Sequence, residues 1–366
     1  MTAALCAQTV AELTSMTTTV IDRRYNNWLQ RFAWFTAVAT LFLICSGGMV
    51  TSKGVGLAVP DWPTTFGYNM FLFPVSQWVG GIFFEHTHRL IASTVGLLTI
   101  VLAVWLWRVE PRRWVRNLGY VAVVAVILQG VLGGLRVTML KDQIGIFHAC
   151  LAQAFLGLLV FIALVTSEFW NRISSRRGAG SILWLAVLAT ILIYLQLALG
   201  ATMRHQHRDL AILDFPAAYG KFIPDVSPST LARINAWRDA RALSDVTAFQ
   251  IWLQMAHRAL AAMIAIALVA FWIFARTRAN NIALRRLSSV WLFLLLCQIT
   301  LGAWTIWSNK AADIATTHVA VGAIMLSLGV SICALLWRMQ SAWDGLPVRG
   351  SSGRTGKMPV PQKILS

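Results

Sequence analysis

Long apolar runs separated by short charged gaps dominate this chain. Eight stretches contain no Asp, Glu, Lys or Arg: 32–52, 90–107, 118–135, 144–167, 181–203, 259–275, 287–309 and 314–337. A helix that crosses a bilayer needs about 20 such residues. The second, third and sixth runs are short and are expected to extend past a flanking charge. The pattern predicts an all-α membrane protein with eight transmembrane helices.

The polar gaps carry a direction. Arg108, Arg112, Arg113 and Arg116 follow the second run, Arg172, Arg176 and Arg177 the fourth, and Arg276, Arg278, Arg285 and Arg286 the sixth. The ends add Arg23, Arg24 and Arg31, and Arg338, Arg349, Arg354, Lys357 and Lys363. The intervening gaps are poorer: Lys53, then Arg136 and Lys141, then Lys310. The loop 204–253 is basic but long, and long loops count for less. Both termini should therefore face the cytoplasm, with the gaps after runs 1, 3, 5 and 7 outside. A net charge of +17 suggests a nucleic-acid partner until its placement is considered. The charges punctuate spans instead of forming a basic face, so the partner they imply is the lipid bilayer.

The two halves match. His257 lies 169 residues after His88, Gln298 the same distance after Gln129, and His318 170 after His148. Asp61-Trp62-Pro63 matches Asp214-Phe215-Pro216 at an offset of 153, so the second half carries about 16 extra residues in its first outer loop. Four spans return the chain to its starting side, giving two tandem parallel four-helix bundles. The expected organisation is a cytoplasmic segment 1–30 with a short helix in 1–22, a first unit 31–168, a second unit 181–340, and a disordered basic tail 341–366.

The repeated histidines carry the chemistry. His88 and His148 sit at the outer ends of the second and fourth spans, and His257 and His318 repeat them on the sixth and eighth. Ionisable groups at such positions are costly and usually functional. Two histidines on neighbouring helices can ligate one heme iron from opposite faces. Zinc or copper accepts the same residue, but no partnering cysteine or carboxylate cluster accompanies these histidines. Cys6, Cys45, Cys150, Cys297 and Cys333 form no CxxC. Gly47, Gly48, Gly130, Gly133 and Gly134 would let a flat macrocycle or a helix approach closely. Arg89 and Arg258 directly follow two of the histidines and are candidates for pairing with heme propionates. His205 and His207, in MRHQHRD, are expected in a solvated loop. His86 points away from Glu85 and is not counted as a ligand.

One mismatch breaks the symmetry. Glu85 precedes His88 by three residues, whereas the neutral Gln254 precedes His257 by three. Residues three apart share a helix face. A carboxylate there can act as a base or stabilise positive charge. The first half therefore reads as a reaction site and the second as a cofactor or electron-transfer site.

EHTHR at 85–89, His148 in FHACLAQ, MAHR at 255–258 and His318 in THVAVG resemble the heme A synthase family over about residues 30–340. The resemblance implies an oxidoreductase that converts the C8 methyl of heme O to a formyl group by successive hydroxylation, yielding heme A for respiratory oxidases. It implies Glu85, His88 and His148 at the substrate heme O, and His257 and His318 on a heme b cofactor. It also implies a heme O synthase as supplier and an electron partner that the residues do not identify. Some family members carry a cysteine pair in the first outer loop; TSKGVGLAVPDWPTTFGYNMFLFP has none, which excludes cysteine redox chemistry there. A non-enzymatic di-heme b electron carrier is the alternative. A transporter is disfavoured because the spans lack repeated Gly/Pro breaks. Reporter fusions test the topology: a reporter active only in the cytoplasm should work at both termini and fail within 53–79.

Overall fold

The computed structural model describes residues 2–173, 179–206, 210–278 and 281–344, with side chains at 27–173, 182–206, 210–278 and 281–340. The helices are α1 (Thr2–Ser52), α2 (Gly80–Val109), α3 (Arg113–Met139), α4 (Asp142–Val165), the single turn α5 (Glu168–Asn171), α6 (Ala179–Gln206), α7 (Pro228–Asp239), α8 (Ala248–Thr277), α9 (Ile282–Trp307) and α10 (Ala312–Asp344). Eight of them are long and apolar enough to cross a membrane. The three short runs extend as expected: α2 takes in Glu85 and Arg89, α3 takes in Arg113, Arg116 and Arg136, and α8 takes in Arg258.

The N-terminal segment differs from expectation. It continues without a break into the first span, because no Gly or Pro interrupts residues 2–46 to stop a helix. At the other end α10 runs four residues into the segment expected to be disordered, and 345–366 lie outside the described residues.

The spans pack in two rings. In the first, α1 lies on α2, α2 on α3, α3 on α4 and α4 on α1; α6, α8, α9 and α10 repeat the arrangement. Each ring encloses its own apolar core, the first around Leu102, Leu159 and Ile162, the second around Leu268, Phe271 and Trp291. The rings meet where α10 touches α1 and α4, and where α4 touches α6. Accordingly α4 and α10 are the most enclosed spans, at 50% and 56%, against 17% for α3 and α9 at the periphery. Glycine permits the close approach of α1 to α10: a Cβ on Gly48 would stand 3.0 Å from Thr316 Cγ2. Exposed tryptophans gather at helix ends, with Trp28, Trp107, Trp114, Trp184 and Trp337 at one set of ends and Trp252, Trp304 and Trp307 at the other. That is the distribution expected at the two bilayer interfaces.

The extra residues of the second half build a small cap. Around α7, Ile212, Ile234, Val246 and Ile251 form a third apolar cluster. The fully buried Arg238 fastens it, donating to the carbonyls of Ser244 at 2.6 Å and Leu210 at 3.1 Å.

Trp291 is the largest fully buried side chain; it meets Phe271 edge-on and donates from Nε1 to the Met325 carbonyl at 3.0 Å. Trp291→Ala should cost about 3–5 kcal/mol, read as a lowered thermal midpoint in detergent. Trp304→Ala, at an exposed end, should change it little.

Candidate functional site

The four histidines lie about one and a half to two and a half turns inside their helices rather than at the first residue, since α2, α4, α8 and α10 begin at Gly80, Asp142, Ala248 and Ala312. Each ring rests on a glycine of an adjacent helix. A Cβ would approach the Cε1 of His88 to 2.9 Å if built on Gly47, of His148 to 3.4 Å on Gly133, of His257 to 3.5 Å on Gly200, and of His318 to 3.2 Å on Gly302. The Nδ1 of all four is buried and makes no hydrogen bond of ordinary geometry, although the Leu43, Gln129 and Gln298 backbones lie beside the rings of His88, His148 and His318. Buried polar atoms are normally satisfied, so four equivalent orphans at repeated positions mark a shared function. His88 and His148 lie within electrostatic reach of one another, as do His257 and His318. The members of each pair come from diagonally placed helices of one ring.

Glutamines complete the pattern. One turn before its glycine, Gln129 donates through Nε2 to the His148 carbonyl, Gln196 to the His257 carbonyl and Gln298 to the His318 carbonyl, each at 3.0 Å. Gln196 and Gly200 were missed from sequence. The signal was present as Q-x-x-x-G, at 129–133, 196–200 and 298–302, with Leu43 replacing glutamine ahead of Gly47. The motif reveals a finer repeat: a glycine helix followed by a histidine helix, used four times.

The neighbours of the histidines hold the loops that precede α2 and α8. Glu85 is buried; Oε1 accepts from Arg89 Nη2 at 2.9 Å and Oε2 from the Val59 N–H at 2.9 Å. Arg89 also donates to the carbonyls of Asp61 (2.7 Å), Thr64 (3.0 Å) and Val59 (2.9 Å). In the second half Gln254 exchanges two hydrogen bonds with the Ile212 backbone, at 2.9 and 3.0 Å. Arg258 donates to the carbonyls of Asp214 (2.6 Å), Pro216 (3.2 Å) and Ala217 (2.7 Å). Arg89 and Arg258, expected at heme propionates, therefore commit their terminal nitrogens to loop carbonyls.

Those loops share one turn, D-[WF]-P-x-x-[FY]-G. Asp61 accepts from the N–H groups of Phe66 and Gly67 at 2.8 and 2.9 Å, and Asp214 from those of Tyr219 and Gly220, both at 2.9 Å. Gly67 and Gly220 take φ of 78° and 75°, the region glycine favours. Partial burial would raise the Asp61 carboxyl, but the bonds from Gly67, Thr64 and Phe66 outweigh it and hold the group below its usual range.

Two other histidines have structural surroundings. His86 is fully buried, 3.2 Å through Nδ1 from Thr65 Oγ1 and packed by Phe73 and Trp78. His205 is not in a solvated loop: α6 continues through it to Gln206, and its ring packs on Gly145 of α4, where a Cβ would lie 2.7 Å from Cε1. The polar letters of MRHQHRD concealed a helix end that is sheltered by the other unit. His207 lies outside the described residues. Among the described residues, no three His, Cys, Asp or Glu side chains group to hold a metal ion. The four repeated histidines fall instead into two pairs, one in each ring.

Residues 30–330 match the COX15-CtaA family, described as cytochrome oxidase assembly protein. The chain belongs to this family. It is 29% identical to the heme A synthase of Shouchella clausii, over 70% of this chain and 86% of that protein. It is 26% identical to the heme A synthase of Bacillus licheniformis, over 80% and 91%, and 24% identical to that of an Exiguobacterium species, over 88% and 98%. These family members are heme A synthases, oxidoreductases of the membrane, and the match spans both rings.

Glu85 and Arg89 allow a stability test. Arg89→Met leaves a buried carboxylate with one N–H and should cost about 3–5 kcal/mol, with faster proteolysis of the 53–79 loop. Adding Glu85→Met should recover much of that loss.

Proposed function

We propose that this chain is a heme A synthase, which oxidises the C8 methyl of heme O to a formyl group by successive hydroxylation. In this reading His88 and His148 hold the substrate heme, and His257 and His318 hold a resident heme b. The residues suit such groups: paired imidazoles whose buried Nδ1 atoms make no hydrogen bond of ordinary geometry, each ring seated on a helix surface cleared by glycine. A bound heme b supplies a one-electron redox centre.

The observation that carries the reading is the charge difference three residues before His88 and His257. Glu85 and Gln254 occupy equivalent positions and bond the equivalent backbone, at Val59 and Ile212. The loop contact therefore does not require a carboxylate, because the neutral residue makes it. What Glu85 adds is a buried negative charge one turn from His88. Each of its oxygens accepts one hydrogen bond and keeps further acceptor capacity. Such a group stabilises positive charge developing beside it, or takes a proton at a carboxylate oxygen. Arg89 holds it in one orientation, and the loop that both residues fasten covers it from water.

The distribution of arginine supports an orientation with both termini in the cytoplasm and all four histidines toward the outer face. A heme O synthase in the same membrane is the proposed supplier of substrate.

Purified protein should show a low-spin heme b spectrum that survives His88→Ala and disappears in His257→Ala and His318→Ala; the opposite result reverses the two sites. Glu85→Gln should retain that heme and the fold while lowering conversion at least 100-fold, and undiminished conversion removes Glu85 from the reaction. Co-expression with a heme O source, followed by chromatography of extracted hemes, should yield heme A. Its absence with folded, heme-loaded protein favours the di-heme electron carrier.

A further inference from the structure

Two arginines lie within electrostatic reach of one another beside the junction of the rings, and the loop clasps use neither. Arg136 lies in the last turn of α3, and Arg204 near the end of α6. Arg204 reaches across the junction, donating through Nη2 to the Gly48 carbonyl and the Ser52 hydroxyl of α1. Its Nε is buried without a partner. The Arg136 guanidinium lies over Gly56, where a Cβ would stand 3.2 Å from Nη2.

The surroundings are strongly positive. Arg136 is within electrostatic reach of His88, His148, Arg204 and His205, and Arg204 of His318. Lys310 adds charge near His205. On the acidic side Arg136 faces Glu85 and Asp142, but it touches neither. Among the described residues the ion pairs are Arg89–Glu85, Arg112–Glu110 and Arg172–Glu168. Glu85 is thus already taken, and among the described residues no carboxylate sits on Arg136 or Arg204. Two like charges held together in a half-buried place call for an anion. The guanidinium fork matches a carboxylate.

The geometry points to Arg136 and Arg204 as a clamp for porphyrin propionates, Arg136 serving the His88/His148 pair and Arg204 the His257/His318 pair. This rests on the reading of the histidine pairs as heme sites. Neither Arg136 nor Arg204 donates to the loop carbonyls that Arg89 and Arg258 hold. The clamp also couples the sites: a carboxylate at either arginine relieves the repulsion that the other feels, so filling one site strengthens the second.

The test uses the full chain, expressed under heme limitation and titrated in detergent with protoheme and with protoheme dimethyl ester. Soret absorbance reports binding. The ester keeps iron and macrocycle but lacks the carboxylates. Wild type should bind the free acid about tenfold tighter or more. In a His257→Ala background, which isolates the first site, Arg136→Gln should bring the acid down to the affinity of the ester while leaving the ester unchanged, and Arg136→Lys should restore part of the difference. In a His88→Ala background Arg204→Gln should do the same at the second site. Equal affinity of wild type for acid and ester, or an arginine variant that weakens both alike, overturns the clamp and leaves the heme sites standing. If wild type binds neither compound, the heme reading itself fails and the clamp falls with it.

Discussion

Each histidine reaches its place because the helix beside it has no side chain there. An imidazole seated on glycine needs the two backbones to approach closely, and small residues are what allow this between membrane helices. The same contact fixes where the helices cross, and the crossing fixes the ring of four. Gln129, Gln196 and Gln298 then tie the glycine helix to the backbone of the histidine helix. In a low-dielectric interior such a bond sets register as well as distance. The fourth pair has Leu43 in that place, so α1 and α2 lack this tie.

Loop and helix form one construction at the histidine end of each ring. The turn built on Asp61 or Asp214 presents a cluster of carbonyls, and one arginine from the histidine helix gathers them. An arginine in this role is structural, though in sequence it stands next to a candidate ligand histidine and suggests contact with the bound group. Beneath the common scaffold the two halves differ by a carboxylate and an amide, which are nearly isosteric. Chemistry can therefore diverge without disturbing the fold.

Spans, repeat and paired histidines were legible in the sequence because each is local or periodic. Runs near 20 apolar residues announce helices whatever their partners, and a histidine repeated at 169 or 170 residues stands out against apolar sequence. The partners of Glu85 and Arg89 were not legible. Val59 and Asp61 lie 26 and 28 residues away in a loop whose path depends on a turn with positive φ at Phe66 and Gly67. His205 was misread for a similar reason: its shelter comes from Gly145, on a helix of the other ring, and polarity alone suggested solvent. Gln196 was overlooked because its partner follows 61 residues later, across the enlarged loop.

The junction between the rings has the form of a self-complementary dimer contact. α1 and α6 are equivalent helices, as are α4 and α10; α10 on α1 mirrors α4 on α6, and α4 against α10 marks the axis. In a true homodimer, any arginine near that axis would confront its own copy at the same height, and every change would be made twice. Joining the copies in one chain removes that obligation. Here the positions equivalent to Arg136 and Arg204 are Thr305 and Thr51. One charge comes from the third helix of the first copy and one from the first helix of the second. Covalent fusion has thus let a two-fold contact become polar and directional, so that the two halves need not be chemically alike.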